Sequence, residues 1–147
     1  MATMMAVRQW TQQYVWNAHY GKAIVSGIKP STLDAIAEGR RPSAMEKDEE
    51  VLYDFLIELF ANKSVSDLTY ENTVKEFGEA GLIDILGIVG YYTMASMMMN
   101  VARTALTDGR PFPITPVPTQ LRPLTPGAVS PTDYTLIPSQ RKEFEGI

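Results

Sequence analysis

A chain of 147 residues, 45% hydrophobic and 20% charged, has the size and balance of one globular domain, which excludes a fibrous repeat and wholesale disorder. Its net charge of −4 and pI of about 5.0 leave no basic stripe to release counterions from phosphates, so no nucleic-acid partner is expected. The absence of cysteine excludes disulfides, thiolate metal sites and a thiol redox cycle, and fits a cytoplasmic protein.

Read in chain order, the first seven residues carry neither a basic n-region nor a continuous apolar stretch, so no secretory leader is expected. A first helix is predicted from about Thr3 to Ser26, on the roughly 3.6-residue rhythm of Val7, Trp10, Tyr14, Ala18 and Val25. Gly27 ends it. A short second helix starts at Pro30, where the fixed φ suits the first turn and the missing N–H would be an orphan in any case, and Gly39 closes it before Arg40-Arg41-Pro42.

The third helix is predicted over about 45–62. Glu46, Asp48, Glu49 and Glu50 favour the positive end of its dipole, and Val51, Leu52, Phe55, Leu56, Leu59 and Phe60 form its apolar stripe. Ser66 caps a fourth, about 67–77, with Tyr70, Val74 and Phe77 on one face. The fifth, about 81–106, is apolar nearly all round and should be central to the fold or to a subunit interface. Its 18 uncharged residues, Ile85 to Ala102, reach the threshold for a membrane span. Thr93, Ser96 and Asn100 interrupt them and neither end carries a basic cluster, so a buried helix is expected instead. Gly87 and Gly90 let another backbone approach. No internal repeat, heptad run or alternating strand is visible; the body is all-α.

Composition changes near Gly109. Eight of the ten prolines follow it, a density that forbids helix and leaves extended or polyproline-like chain. Residues 1–109 hold 9 Lys+Arg against 14 Asp+Glu, net −5, whereas 110–147 hold 4 against 3, net +1. Leu121, Leu124, Val129, Tyr134, Leu136 and Ile137 make this tail too apolar for a simple disordered end. It is expected to lie extended over the body or a neighbouring subunit.

Four pieces of the helical body, in order, resemble the carboxymuconolactone decarboxylase-like family, relatives of alkyl hydroperoxidase D. Gln13-Tyr14-Val15-Trp16-Asn17-Ala18-His19 is similar to its QYEWxxH helix. Gly27-Ile28-Lys29-Pro30 with Ala35-Ile36-Ala37-Glu38-Gly39 is similar to its short second helix, Val65-Ser66-Asp67-Leu68-Thr69-Tyr70 to its VSDxTY connector, and Gly90-Tyr91-Tyr92-Thr93-Met94 through Asn100 to its final GYYxM…N helix. The resemblance spans residues 8–105 and implies an alkyl hydroperoxidase D-like helical domain of about five helices, assembled as trimers or their multiples. The fold hosts several chemistries, so the reaction does not follow from it.

The chain departs from the pattern in three places. Gln12 and Val15 stand where the hydroperoxidase branch has its two cysteines, which removes disulfide-based peroxide reduction. Val15 also replaces the glutamate that cysteine-free relatives keep before the tryptophan, and with it the nearest carboxylate able to orient His19. Relatives usually carry a further helix ahead of this motif, whereas seven residues precede Arg8 here; a shortened N-terminal region or a subunit covering the surface is implied.

His19, the single histidine, is the candidate general acid or base, since imidazole titrates near neutrality. In the decarboxylation that the family name implies, loss of carbon dioxide leaves an enolate-like carbanion, and His19 is the candidate donor to that carbon. The alternative is a histidine fixed in packing. Gln12 and Trp16 fall on its helical face. Gln12 is a candidate to hydrogen-bond a substrate or His19, and Trp16 to wall an apolar pocket or fill the core. Tyr92, with Tyr91, is a candidate to offer a phenolic hydroxyl to a substrate carbonyl or to pack. Arg40 and Arg41 are candidates for a carboxylate, against the plainer reading of a solvated loop pair. Met94, Met97, Met98 and Met99 form a soft surface suited to a subunit seam. One histidine and scattered acids show no metal-ligand spacing, and no cofactor is implied. Two functions remain: an enzyme acting on a small, partly apolar acid or lactone, and a non-catalytic oligomeric protein with a degenerate site.

Overall fold

The apolar run at the start of the chain, rather than the longer one near its end, supplies the centre of the fold. In the computed structural model, which describes residues 1–106 and Ile114, five helices follow one another: α1 (Ala2–Gln9), α2 (Gln13–Val25), α3 (Pro30–Ala37), α4 (Lys47–Asn62) and α5 (Asp67–Val101). The described residues contain no strand. Met4, Met5, Ala6 and Val7 are all buried. Four consecutive buried positions go right round a helix, so α1 is enclosed rather than laid on a surface. It packs against each of the other four helices. Val15 and Trp16 of α2, Leu33 and Ile36 of α3, Phe55 and Leu56 of α4, and Leu82, Ile85 and Val89 of α5 close the core around it.

The expected single helix over 3–26 is two helices. Thr11 N–H donates to the Arg8 carbonyl at 3.0 Å and Gln12 N–H to the Val7 carbonyl at 3.1 Å, with Thr11 left-handed at φ 49°. This is the Schellman closure of a helix, made around a β-branched residue where glycine is usual. The same closure ends α2 at Gly27 (φ 97°) and α3 at Gly39 (φ 74°). It ends α5 around Arg103 (φ 52°), with Thr104 N–H donating to the Met99 carbonyl at 3.0 Å. The fifth helix accordingly stops at Val101, short of the predicted 106.

The predicted fourth and fifth helices run on as α5, bent at Gly78, where φ 72° and ψ 169° leave helical space. α4 opens at Lys47 because Glu46 and Glu49 form a reciprocal capping box, with Glu46 N–H donating to Glu49 Oε2 at 3.1 Å. Of the tail expected over 110–147, Ile114 alone belongs to the described residues. It is buried in the core, held at both backbone atoms by the Gln13 amide: Gln13 Nε2 donates to its carbonyl at 2.7 Å and its N–H donates to Gln13 Oε1 at 3.0 Å. The remaining tail, with Leu121 to Ile137, lies outside the described residues.

α5 is not wrapped on all sides. Leu82, Ile85, Val89 and Ser96 are buried, while Ile83, Leu86, Tyr91, Met94, Met97, Met98 and Val101 are exposed. Of the two places expected for this helix, the centre of the fold belongs to α1, and the apolar excess of α5 faces outward.

Candidate functional site

His19 sits in the second turn of α2, half-buried. Its Nδ1 lies 3.0 Å from the Val15 carbonyl one turn earlier. A carbonyl only accepts, so Nδ1 carries the hydrogen, and in the neutral ring Nε2 is left as an acceptor. Nε2 lies 2.9 Å from the hydroxyl of Tyr92, on α5, 73 residues away in sequence. Tyr92 therefore donates its O–H to the neutral imidazole. On the protonated ring the roles reverse: Nε2–H donates to the phenol oxygen, and the Tyr92 O–H is released to another acceptor. The two rings meet edge-on, centroids 5.1 Å apart, and Tyr91 stands edge-on to Tyr92 at the same spacing. Tyr91 is exposed and Tyr92 half-buried, so this aromatic row runs from α2 to the surface.

The other two expected contacts are engaged in the fold. Gln12 is the N-cap of α2: its side-chain oxygen accepts from the Val15 N–H at 2.9 Å, and the residue is buried. Trp16 is 2% exposed, a core side chain whose ring lies 6.5 Å from that of Tyr20. The structure thus brings His19 and Tyr92 into contact, while Gln12 and Trp16 fix the start and the buried face of the helix that carries His19.

Arg40 and Arg41 have partners within the chain. Arg40 pairs with Glu38. Arg41 forks onto both oxygens of Asp54, reaches Glu50 at 3.0 Å and lies over the Tyr53 ring at 5.2 Å. The hydrogen bond to Asp54, above all, holds the Arg41 guanidinium well above its ordinary pKa. A guanidinium saturated by two carboxylates has little left for a substrate acid.

Arg8 is a feature that periodicity passes over. Its Nε and Nη1 are buried without a hydrogen-bond partner among the described residues, and burial lowers its pKa. The signal lay in a charged residue ending the run Met4-Met5-Ala6-Val7-Arg8. Buried guanidinium N–H groups left over in this way can donate to an anionic oxygen, since their desolvation is otherwise uncompensated.

No protein-family model, no curated protein and no solved structure matches the chain.

Proposed function

We propose that the chain is a proton-transfer enzyme of the carboxymuconolactone decarboxylase-like kind, with the alkyl hydroperoxidase D-like fold that this implies. In this reading it acts in the cytoplasm on a small, partly apolar acid or lactone, as a homo-oligomer, a trimer or hexamer, with no cofactor. The observation that carries the reading is the 2.9 Å contact between His19 Nε2 and the Tyr92 hydroxyl. It gives the lone imidazole the second polar group that acid–base work asks for, within reach of solvent and on separate helices.

The chemistry follows from the hydrogen-bond roles. With His19 protonated, the Tyr92 O–H points outward toward a substrate. The bond to the departing carboxylate breaks, its electron pair remains on carbon as an enolate, and carbon dioxide leaves. Tyr92 gives its proton to that carbon and recovers one from His19 Nε2–H; solvent reprotonates the imidazole. Gln12 and Trp16 act here as positioning residues, by holding α2.

The alternative is a non-catalytic oligomeric binding or structural protein. It is favoured by the engagement of Gln12 and Trp16 in capping and packing, which leaves the site with fewer polar groups than the motif suggests. Carbon dioxide release from carboxymuconolactone separates the two. The enzyme reading expects release by the native protein and a loss of about 10²-fold or more in both His19→Gln and Tyr92→Phe, the scale of a positioned acid or base. Equal rates in all three proteins remove the pair from the mechanism. No release from any of them favours the binding protein.

A further inference from the structure

The exposed side of α5 has a pattern that the apolar run conceals. Six of its exposed residues, Ile83, Gly87, Gly90, Met94, Met97 and Val101, are spaced 4, 3, 4, 3 and 4. That is the a/d spacing of a helix that meets another helix along a seam. Along it Ile83 is 65% exposed, Met94 47%, Met97 40% and Val101 85%. Leu86, Tyr91 and Met98 widen it on either flank. No charged side chain stands from Ile85 to Ala102.

The seam is lopsided: its first half holds two glycines and its second half two methionines. A Cβ built on Gly87 or Gly90 would meet nothing within 4 Å, so both are open notches in the surface. A second α5 laid antiparallel about a point midway between Gly90 and Met94 sets Gly90 against Met94, Gly87 against Met97 and Ile83 against Val101. Every notch then receives a long, adaptable side chain. A parallel pairing in register would set glycine on glycine and methionine on methionine, leaving voids at one end and crowding at the other.

We propose that this face of α5 is a two-fold seam on which a second copy of the chain lays its own α5 antiparallel, Gly87 and Gly90 of each copy receiving Met97 and Met94 of the other. The arrangement is isologous and closes on itself. The exposed parts of the seam and its flanks amount to on the order of 700 Å² per copy, close to the roughly 800 Å² per partner that a stable dimer buries. Lipid is the poorer occupant. It is indifferent to spacing and to notches, and the opposite face of this helix, Leu82, Ile85 and Val89, is already committed to the core. A two-fold seam suits a dimer or a hexamer, so of the two assemblies proposed above it selects the hexamer. It is independent of the reaction proposed above, and its failure would leave carbon dioxide release untouched.

The cysteine-free chain gives a clean test. Gly90→Cys and Met94→Cys are prepared singly, mixed under subunit exchange and oxidised, with Ile83→Cys and Val101→Cys as a second pair. The seam expects a disulfide-linked two-chain species in each mixture and none from any variant alone, because like positions stand too far apart along the antiparallel helices. Sedimentation should show the native chain associated at micromolar concentration and Met94→Asp monomeric with unchanged helical circular dichroism. Cross-linking of Gly90→Cys with itself would overturn the antiparallel register. A monomeric native chain would overturn the seam, and flotation of that monomer with phosphatidylcholine vesicles would assign the face to lipid.

Discussion

Replacing Tyr92 by phenylalanine removes one hydroxyl and leaves the ring, so the 5.1 Å edge contacts to His19 and Tyr91 survive while the 2.9 Å hydrogen bond is lost. A net hydrogen bond of this kind is worth about 0.5–1.5 kcal/mol. Both partners are half-buried, so water reaches the imidazole once the phenol is gone, and no desolvation penalty is added. The expected loss is about 1 kcal/mol in Tyr92→Phe. His19→Gln forfeits the same bond and its edge contact, for about 1–2 kcal/mol. Since each variant breaks the same bond, the double variant should cost about 1 kcal/mol less than the sum of the two.

Urea unfolding of the four proteins, at one chain concentration so that association does not shift the midpoints, reads this coupling directly. Additive losses, within about 0.3 kcal/mol, would show that the two side chains do not bond in solution. The site would then be two unrelated residues, and the acid–base reading would lose its only geometric support.

Three further outcomes follow from the same structure. Thr11→Gly should be more stable than Thr11→Ala by about 1 kcal/mol, since position 11 is left-handed and alanine bears the Cβ penalty there; in a continuous helix the order would invert by a similar amount, and comparing the two variants cancels the loss of the threonine hydroxyl. Gln13→Leu leaves the buried N–H and carbonyl of Ile114 without partners and should cost about 2–4 kcal/mol in chemical unfolding, so a loss below about 1 kcal/mol would mean that the amide clamp is not formed. Glu58 is held below the usual carboxylate range by the Thr69 hydroxyl and the Ser66 N–H, and Glu46 by Lys29. Both folded pKa values lie below the unfolded ones, so their stabilisation is present above the unfolded carboxylate pKa and disappears as pH falls through the folded values. Glu58→Gln should flatten the acid limb of a stability–pH profile, and an unchanged limb would contradict the assignment.

The helix ends show what could and could not be read in advance. All five helices are limited by backbone in the left-handed region just past their last turn, α4 at Lys63. Where glycine takes that position, at Gly27 and Gly39, the end is visible in the sequence, because no other residue adopts it without strain. Where Thr11 and Arg103 take it, nothing local announces a stop. The predicted helices therefore ran through the first and about three residues past the second. Thr11 had the larger consequence. A helix continuous from Thr3 to Ser26 would put Gln12 on the face of His19, whereas the break makes it the cap of α2 and turns its amide back onto Val15. A candidate ligand contact became a structural one through a single φ angle.

Periodicity left two places open for α5. Hydrophobicity all round says that no side faces water, and leaves open whether the covering comes from the same chain. Here the short α1 encloses itself in the other four helices and leaves α5 one buried face. The buried residues Leu82, Ile85, Val89 and Ser96 record the fold, and the line from Ile83 to Val101 is exposed. The 4-3 spacing of that line was masked by apolar residues on both faces, and it emerges only once the buried positions are set aside. The same orientation carries Tyr92 inward beside His19 and Tyr91 outward beside the seam, as successive residues about 100° apart on a helix must lie. Which residue of that pair meets the imidazole is therefore decided by how α5 lies against α2, a relation between residues 73 apart in sequence, and the local motif names both tyrosines without choosing between them.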